Sequence, residues 1–504
     1  MAKLREPGLD YVWRQLLHSP QRANPSLQST LRMNLAQAML DGRIPGGTRL
    51  PSTRTMASAL KVARITVALA YEALEAQGFL TVQSRSGHYV RENLQDKQKV
   101  AILDRTGPAT SPDWTKHLPA LSSEEKWLEK PRFWQKYKYP FVYGQMDTKL
   151  FPLAEWRECS RLAQATPESS QWASDMVDVD DAYLIEQLCT RVLPRRGITA
   201  SPDEILITVG SQMGVFLLSE LLVRAGDTVA IEDPGYMDGR NIFLRRGANI
   251  LPLSLDDDGA IPPHEIPPLS CLFLTPSHQC PTGVTLSTQR RLEWLNFAER
   301  HQALIIEDDY DNETQFYGPS SSALKAMDRS GRVIYLSSLS KMFAPGLRIG
   351  YMVADRQLIH RARQLRRLIL RHTPNNNQRA LALFIAHGHY EQLQMRYRSS
   401  LASRALQITD ALRTHLPMWR FREPLGGSAL WVETPQHSDT LSIEIQARKK
   451  GVLIESGGSF FRSHTPPRNF ARLAYSTIAP ELIDPGVRTL ARVVREYQRL
   501  PRFA

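Results

Sequence analysis

Lys341 stands in a setting suited to carbonyl chemistry. It follows the apolar run Val333–Leu336 and the small hydroxylated residues Ser337, Ser338 and Ser340, and Arg348 lies seven residues further on. The run has the length and β-branched content of a buried strand. A lysine at the end of such a strand is a desolvated amine. Loss of hydration lowers its pKa and frees its lone pair to form a Schiff base with an aldehyde. Ser338 and Arg348 add a hydroxyl and a bidentate guanidinium for a phosphate. Aldehyde, phosphate and lysine together point to pyridoxal 5'-phosphate (PLP) as cofactor.

Two earlier segments supply what such a ring needs. The stretch ALIIEDDYD, 303–311, is another apolar run ending in polar groups. Asp308 is expected to pair with a protonated pyridine nitrogen, which keeps the ring an electron sink, and Tyr310 to donate to its phenolic oxygen. Glu204–Val209 reads as a strand, and Gly210, Ser211 and Gln212 open the next helix. Amides at a helix N-terminus after a small-residue turn bind phosphate readily, so Ser211 and Gln212 join Ser338 and Arg348 as phosphate ligands. The stretch FLTPSHQCPTG, 273–283, runs from strand into a Pro/Gly turn. His278 within it is read as a histidine satisfied by backbone, and Cys280 as packing.

The elements that position these groups alternate. Strands near 205, 229, 250, 272, 304 and 333 are separated by helical stretches, the pattern of an α/β domain with a mainly parallel sheet. Such sheets bind ligands beyond the carboxyl ends of their strands. The basic helix Arg356–Arg371 is read as a solvated or subunit-facing surface. A smaller C-terminal α+β domain begins near Gln394, with strands at Ser428–Val432 and Arg472–Tyr475.

The N-terminal fifth differs in character. Residues 1–100 carry a net charge of +7 within a chain total of +12, which suggests a polyanion-binding module at that end. Asp10–Leu17 is read as a short helix, and Ser26 or Ser29 as the cap of a helix through Leu40. Ser52 is placed to cap a helix over about 53–60, and a turn at Lys61 and Val62 leads to a second over about 64–77, closed by Gly78. Two helices across a short turn make a helix-turn-helix. Leu60, Val62, Val67, Leu69, Tyr71, Leu74 and Phe79 are expected in its core. Phe79–Val82 and His88–Arg91 read as a hairpin wing with Arg85 at its tip. Residues 92–139 lose periodicity and carry prolines and tryptophans; they read as a linker too long for a tight connection, part of it docked on the body through its tryptophans.

These motifs carry a resemblance. The pattern GGTRLPSTRTMASALKVARITVALAYEALEAQG resembles the GntR-type winged helix, which implies DNA binding through Arg54, Arg64 and Thr66, with Ser52 and Arg85 on phosphates. His88 stands where threonine is usual, and Arg85 where the wing often has glycine. SSLSK with the distant Arg348, IIEDDYD, TPSHQCPTG and EDPGY are similar to the fold-type I, class I aminotransferases. TPSHQ and IEDDYD in particular resemble the MocR-type transcriptional regulators, in which a winged helix precedes the enzyme-like part. The resemblance implies that Tyr236 stacks on the pyridine ring and that Arg472 binds a ligand carboxylate, with Arg462 and Arg468 as alternatives. It also implies a homodimer, an operator in double-stranded DNA and a small amino-compound effector. Cys280 replaces the asparagine of many aminotransferases, which leaves Tyr310 alone on the phenolic oxygen.

Domains are therefore expected at 1–91 (winged helix-turn-helix), 92–139 (linker) and 140–504 (aminotransferase-like effector domain). A PLP-dependent regulator and an active aminotransferase with an accessory DNA-binding head both fit the site. The intact, charged head favours the regulator. Four cysteines without a paired spacing argue against disulfides or a zinc site and fit a reducing cytosol. No apolar leader or membrane-length run is seen, so a cytoplasmic protein is expected.

Overall fold

The computed structural model describes residues 26–83, 86–92, 112–118, 122–128, 131–318 and 322–499. The expected helix Asp10–Leu17 and Arg85 lie outside these residues. The chain divides into two compact units, Met1–Pro119 and Ala120–Ala504.

In the first unit, α1 (Leu27–Leu40) starts at Ser26, whose hydroxyl accepts from Ser29 N. Ser52 caps α2 (Thr53–Leu60), accepting from Thr55 N at 3.1 Å, and satisfies a donor that helix geometry leaves free. Lys61 breaks α2 in the left-handed region, and α3 (Arg64–Ala76) follows. Antiparallel β1 (Leu80–Gln83) and β2 (Gly87–Val90) pair from Leu80↔Val90 to Gln83↔Gly87 and form the wing. Leu31, Leu35, Met56, Val67, Tyr71 and Leu74 are buried together. Leu69, expected in this core, is 45% exposed. The inner face of α3 is Val67, Ala70, Tyr71 and Leu74; Leu69 stands four residues after exposed Ile65, on the outward stripe.

The second unit opens on the short strand β3 (Tyr139–Pro140) and is built on a seven-stranded sheet. Its strands are β4 (Ile205–Thr208), β5 (Thr228–Glu232), β6 (Asn249–Leu253), β7 (Leu269–Leu274), β8 (Leu304–Asp308), β9 (Val333–Ser338) and β10 (Gly350–Val353). Their order is β4-β10-β9-β8-β7-β5-β6. Only β10 runs antiparallel to its neighbours, β9 and β4. Six strands fall where the sequence periodicity puts them; β10 is an addition, a four-residue run immediately behind Arg348. Its first residue, Gly350, is tightly packed: a Cβ there would sit 2.7 Å from Ser337 O.

Helices α4 (Ser211–Leu222), α5 (Met237–Arg245), α6 (Thr288–Arg300) and α7 (Arg356–Leu370) belong to this layer. Residues of β4–β10 form two buried clusters with them, around Phe243, Phe273 and Ile306 and around Trp294, Phe297 and Ile305. The smaller sheet is antiparallel, in the order β11 (Arg420–Phe421), β12 (Ala429–Glu433), β14 (Phe470–Ala474), β13 (Glu455–Ser456). It packs with α8 (Asn375–Ala386), α9 (His389–His415) and α10 (Pro480–Arg499) in a third cluster.

The basic helix α7 corrects an expectation. Arg363 and Arg366 are not a solvated surface: both bond to Asp180 at 2.6 Å, and Arg366 is fully buried. Each also donates to a β4 carbonyl, Arg363 to Ile205 O and Arg366 to Ile207 O. Arg367 pairs with Asp178 and Arg371 with Asp175 at the exposed end. An Arg-rich helix and the Asp175–Asp181 loop are charge partners that their separation in sequence hides.

Candidate functional site

The carboxyl ends of β4, β8 and β9 open on a cavity of about 520 Å³. Nine body residues singled out from the sequence line it: Ser211, Gln212, Tyr236, Asp308, Tyr310, Ser338, Lys341, Arg348 and Arg472. Lys341 ends the short 3-10 turn after β9, and its Nζ lies 4.4 Å from the centroid of the Tyr310 ring. Arg348, in the left-handed region at φ 49°, turns its guanidinium back to donate to Val209 O at 2.9 Å. There it lies against Gly210. That residue has φ +83°, and a Cβ would stand 2.8 Å from Arg348 Nη2, so only glycine leaves the turn open. Gly210 also starts α4, so the first amides of that helix, Ser211 and Gln212, and the arginine border one hollow. A larger groove, about 1730 Å³, runs along α7 and holds none of these residues.

Asp308 ends β8 and is buried. Burial pushes its carboxyl up to about 7; the Ser211 hydroxyl and nearby Lys341 pull the other way. Its Oδ1 has no hydrogen-bond partner among the described residues, a costly state for a buried acceptor. Beneath it Glu232 is likewise pushed up to about 7 by burial, while accepting from Thr275 Oγ1 at 2.5 Å. Burial also raises Tyr236 and Tyr310 well above the usual phenol range. Cys280 lines the cavity as well, its thiol held protonated by burial.

Of the three arginines weighed for a ligand acid group, Arg472 reaches the cavity. Arg462 pairs with Glu124 and Arg468 is exposed. Arg472 is itself paired: Nη1 donates to Glu455 Oε2 at 2.7 Å, the two facing each other across β14 and β13. His278 corrects another expectation. Both its ring nitrogens lack hydrogen-bond partners among the described residues, and burial pushes it down to about 4. The turn is held instead by Gln279, which donates to Pro234 O and Cys280 O and accepts from Thr282 N. Sequence reasoning passed over Gln279 and Glu455. Glu455 has a signal in its pairing across an expected strand, and Gln279 in being the one amide inside a Pro/Gly turn.

In the first unit, Arg54 and Arg64 are exposed and Thr66 is half-buried at the first turn of α3. Arg64 Nε donates to Thr53 Oγ1 at 3.4 Å, which ties the start of α3 to α2. The Ser52 hydroxyl is engaged by Thr55 Oγ1 at 2.7 Å besides its capping bond. His88 meets Tyr71 edge-on at 5.0 Å, so this departure from the usual wing is absorbed by packing.

Residues 151–490 match the family of class I and II aminotransferases, and residues 27–90 match the bacterial regulatory proteins of the gntR family. The HTH-type transcriptional regulator TauR of Rhodobacter capsulatus is 40% identical over 93% of this chain and 97% of its own length. The probable rhizopine catabolism regulatory protein MocR of Rhizobium meliloti is 30% identical over 93% and 94%. The chain belongs to the MocR-type regulators. Among solved structures, this MocR-type body is similar to Pyrococcus horikoshii kynurenine aminotransferase, solved with PMP. That likeness has 27% identity and a TM-score of 0.68, covering 73% of this chain and 94% of that one. It is also similar to Thermus thermophilus LysN, an α-aminoadipate aminotransferase, with 26% identity and a TM-score of 0.68, covering 77% of this chain and 100% of that one. The MocR-type assignment accounts for both units: a winged helix of the gntR kind and a fold-type I body.

Proposed function

We propose that this regulator holds PLP through Lys341, senses a small amino compound at that cofactor and controls transcription from an operator in double-stranded DNA. Asp308 Oδ1 carries the reading: a buried acceptor with no donor among the described residues, in the same cavity as Lys341. A protonated pyridine nitrogen is the donor it lacks. Bound PLP supplies an electron-poor carbonyl centre that condenses with amines.

The chain's own residues do the rest. Lys341 Nζ provides the attaching amine. Asp308 holds the proton at the ring nitrogen. Tyr310 donates to the phenolic oxygen, and Tyr236 flanks the ring. Ser211, Gln212, Ser338 and Arg348 hold the phosphate. Arg472 receives an acid group of the effector. Arg54, Arg64 and Thr66 meet DNA, with Ser52 and Arg85 on its phosphates. The head occupies 1–91, the linker 92–139 and the effector domain 140–504, and two chains pair as a homodimer in the cytoplasm. An effector acts on the head only through unequal affinity for two arrangements of the protein.

The test is visible absorbance of the PLP-loaded protein during titration with amino compounds, with keto-acid turnover and operator affinity followed in parallel. A spectral change that alters operator affinity without sustained turnover is expected. Sustained transamination indifferent to DNA would replace the regulator by an aminotransferase.

A further inference from the structure

The stretch Ser122–Leu128 has no role in the reading above, yet it is built onto the body by directed polar contacts. Lys126 N donates to Asn241 Oδ1 at 3.3 Å, and Asn241 Nδ2 donates back to Lys126 O at 2.7 Å. Lys126 Nζ donates to Phe461 O at 2.7 Å and Ser463 O at 2.5 Å. Glu125 pairs with Arg245 at 3.0 Å and Glu124 with Arg462 at 3.1 Å. The stretch is thereby fastened to α5 on one side and to residues 461–463 on the other. The Arg245 guanidinium also lies 5.7 Å from the Trp127 ring centroid.

What the fastening achieves is the placement of Trp127 and Leu128. Both line the cavity that holds Lys341, Asp308 and Arg472. Trp127 is nevertheless 54% exposed. A large indole at the mouth of a cavity, with half its surface in water, has apolar area that an occupant or a closing movement would cover.

We propose that Ser122–Leu128 is a strap that forms the outer wall of the effector compartment, with Trp127 limiting the size of ligand admitted, and that the seating of this strap carries occupancy toward the DNA-binding head. The proposal rests on the PLP reading of the cavity. Two observations support the coupling. The strap lies between head and body in the chain, so a change in its seating acts directly on the segment that leads to the head. Its two ion pairs are with part-exposed arginines, Arg245 at 54% and Arg462 at 37% side-chain exposure. Such pairs are individually weak. The seated state is therefore one that ligand contacts can shift.

The experiment uses the full-length, PLP-loaded protein and two amines that react with the cofactor's carbonyl, hydroxylamine and the bulkier O-benzylhydroxylamine. Absorbance gives the rate with each. Trp127→Ala is expected to raise the ratio of the O-benzylhydroxylamine rate to the hydroxylamine rate about tenfold, with Trp127→Phe in between. Taking the ratio cancels any general effect on cofactor reactivity. An unchanged ratio overturns the wall. Hydrogen exchange of peptides covering 122–128 is then compared with and without aminooxyacetate, an amine that carries a carboxylate for Arg472. Altered exchange, and an operator affinity that ceases to respond to aminooxyacetate in Glu125→Gln/Lys126→Met, are expected. Unaltered exchange despite a full absorbance change overturns the coupling. Absence of any absorbance change with hydroxylamine would instead defeat the PLP reading.

Discussion

Replacing Asp180 by alanine is expected to destabilise the body by about 3–5 kcal/mol, because it leaves a buried guanidinium without its carboxylate. Arg366 is fully buried, and its Nη1 meets Asp180 Oδ1 and Ile207 O, each at 2.6 Å. Its Nε and Nη2 have no hydrogen-bond partner among the described residues, so the Ile207 carbonyl alone would remain to it. Arg363, at 16% side-chain exposure, can turn toward water; Arg366 cannot. Asp180 Oδ2 also accepts from Ile207 N at 3.3 Å, which fastens β4 just ahead of Gly210 and Ser211. The loss should therefore loosen the Gly210–Ser211 side of the cavity as well as the core. The assay is urea unfolding of the full chain at fixed excess PLP, since a bound ligand shifts apparent stability. The double variant Asp180→Ala/Arg366→Met should recover most of the loss, because it removes the unpaired charge. A loss under about 1 kcal/mol, the range of exposed ion pairs, would refute the argument that Arg366 depends on Asp180.

Lys341→Ala should abolish the visible absorbance of covalently held cofactor when PLP is added; a retained band would remove Lys341 from the attachment. Arg64→Ala should weaken operator binding by about 1–3 kcal/mol at fixed salt and leave cofactor absorbance alone, as read by fluorescence anisotropy. Undiminished affinity would take Arg64 out of the interface. Burial pushes Glu313 up to about 8 from 4.5, so the folded protein keeps a proton that the unfolded chain releases. That contribution to stability is complete below the unfolded value and is lost as pH rises through about 8. Glu313→Gln should flatten the decline of the unfolding midpoint over this window, and an identical slope in both proteins would clear Glu313 of it.

The sheet and the cavity were legible in the sequence for the same reason. Each of the strands at 205, 304 and 333 is a buried apolar run that ends abruptly in polar groups, and those ends converge by the rules of parallel α/β topology. The wing and helix ends were legible because Ser52, Lys61 and Gly78 act locally. What escaped depends on partners distant in sequence. The Arg363 and Arg366 clamp on Asp180 spans the body, and no periodicity in α7 announces it. Leu69 was assigned to the core by its apolar character, but the helix phase set by Val67, Tyr71 and Leu74 turns it outward. His278 was expected to find backbone partners, but the turn is held by the neighbouring amide of Gln279. Trp127 marked a docked linker, but its place at the cavity depends on Asn241 and Arg245, more than a hundred residues away in the chain.

If Arg472 receives the effector's acid group as proposed, its pairing with Glu455 sets an internal carboxylate in competition with the arriving one. The internal carboxylate is tethered one strand away and never dilutes, so it competes at a high effective concentration. An acid group arriving from solution gains only the difference between two similar contacts. On the proposed reading such competition would raise the threshold: traces of an anionic amino compound would leave Glu455 in place, and occupancy would begin only when that compound is abundant. For a regulator of the proposed kind, the threshold would separate a metabolic surplus from background.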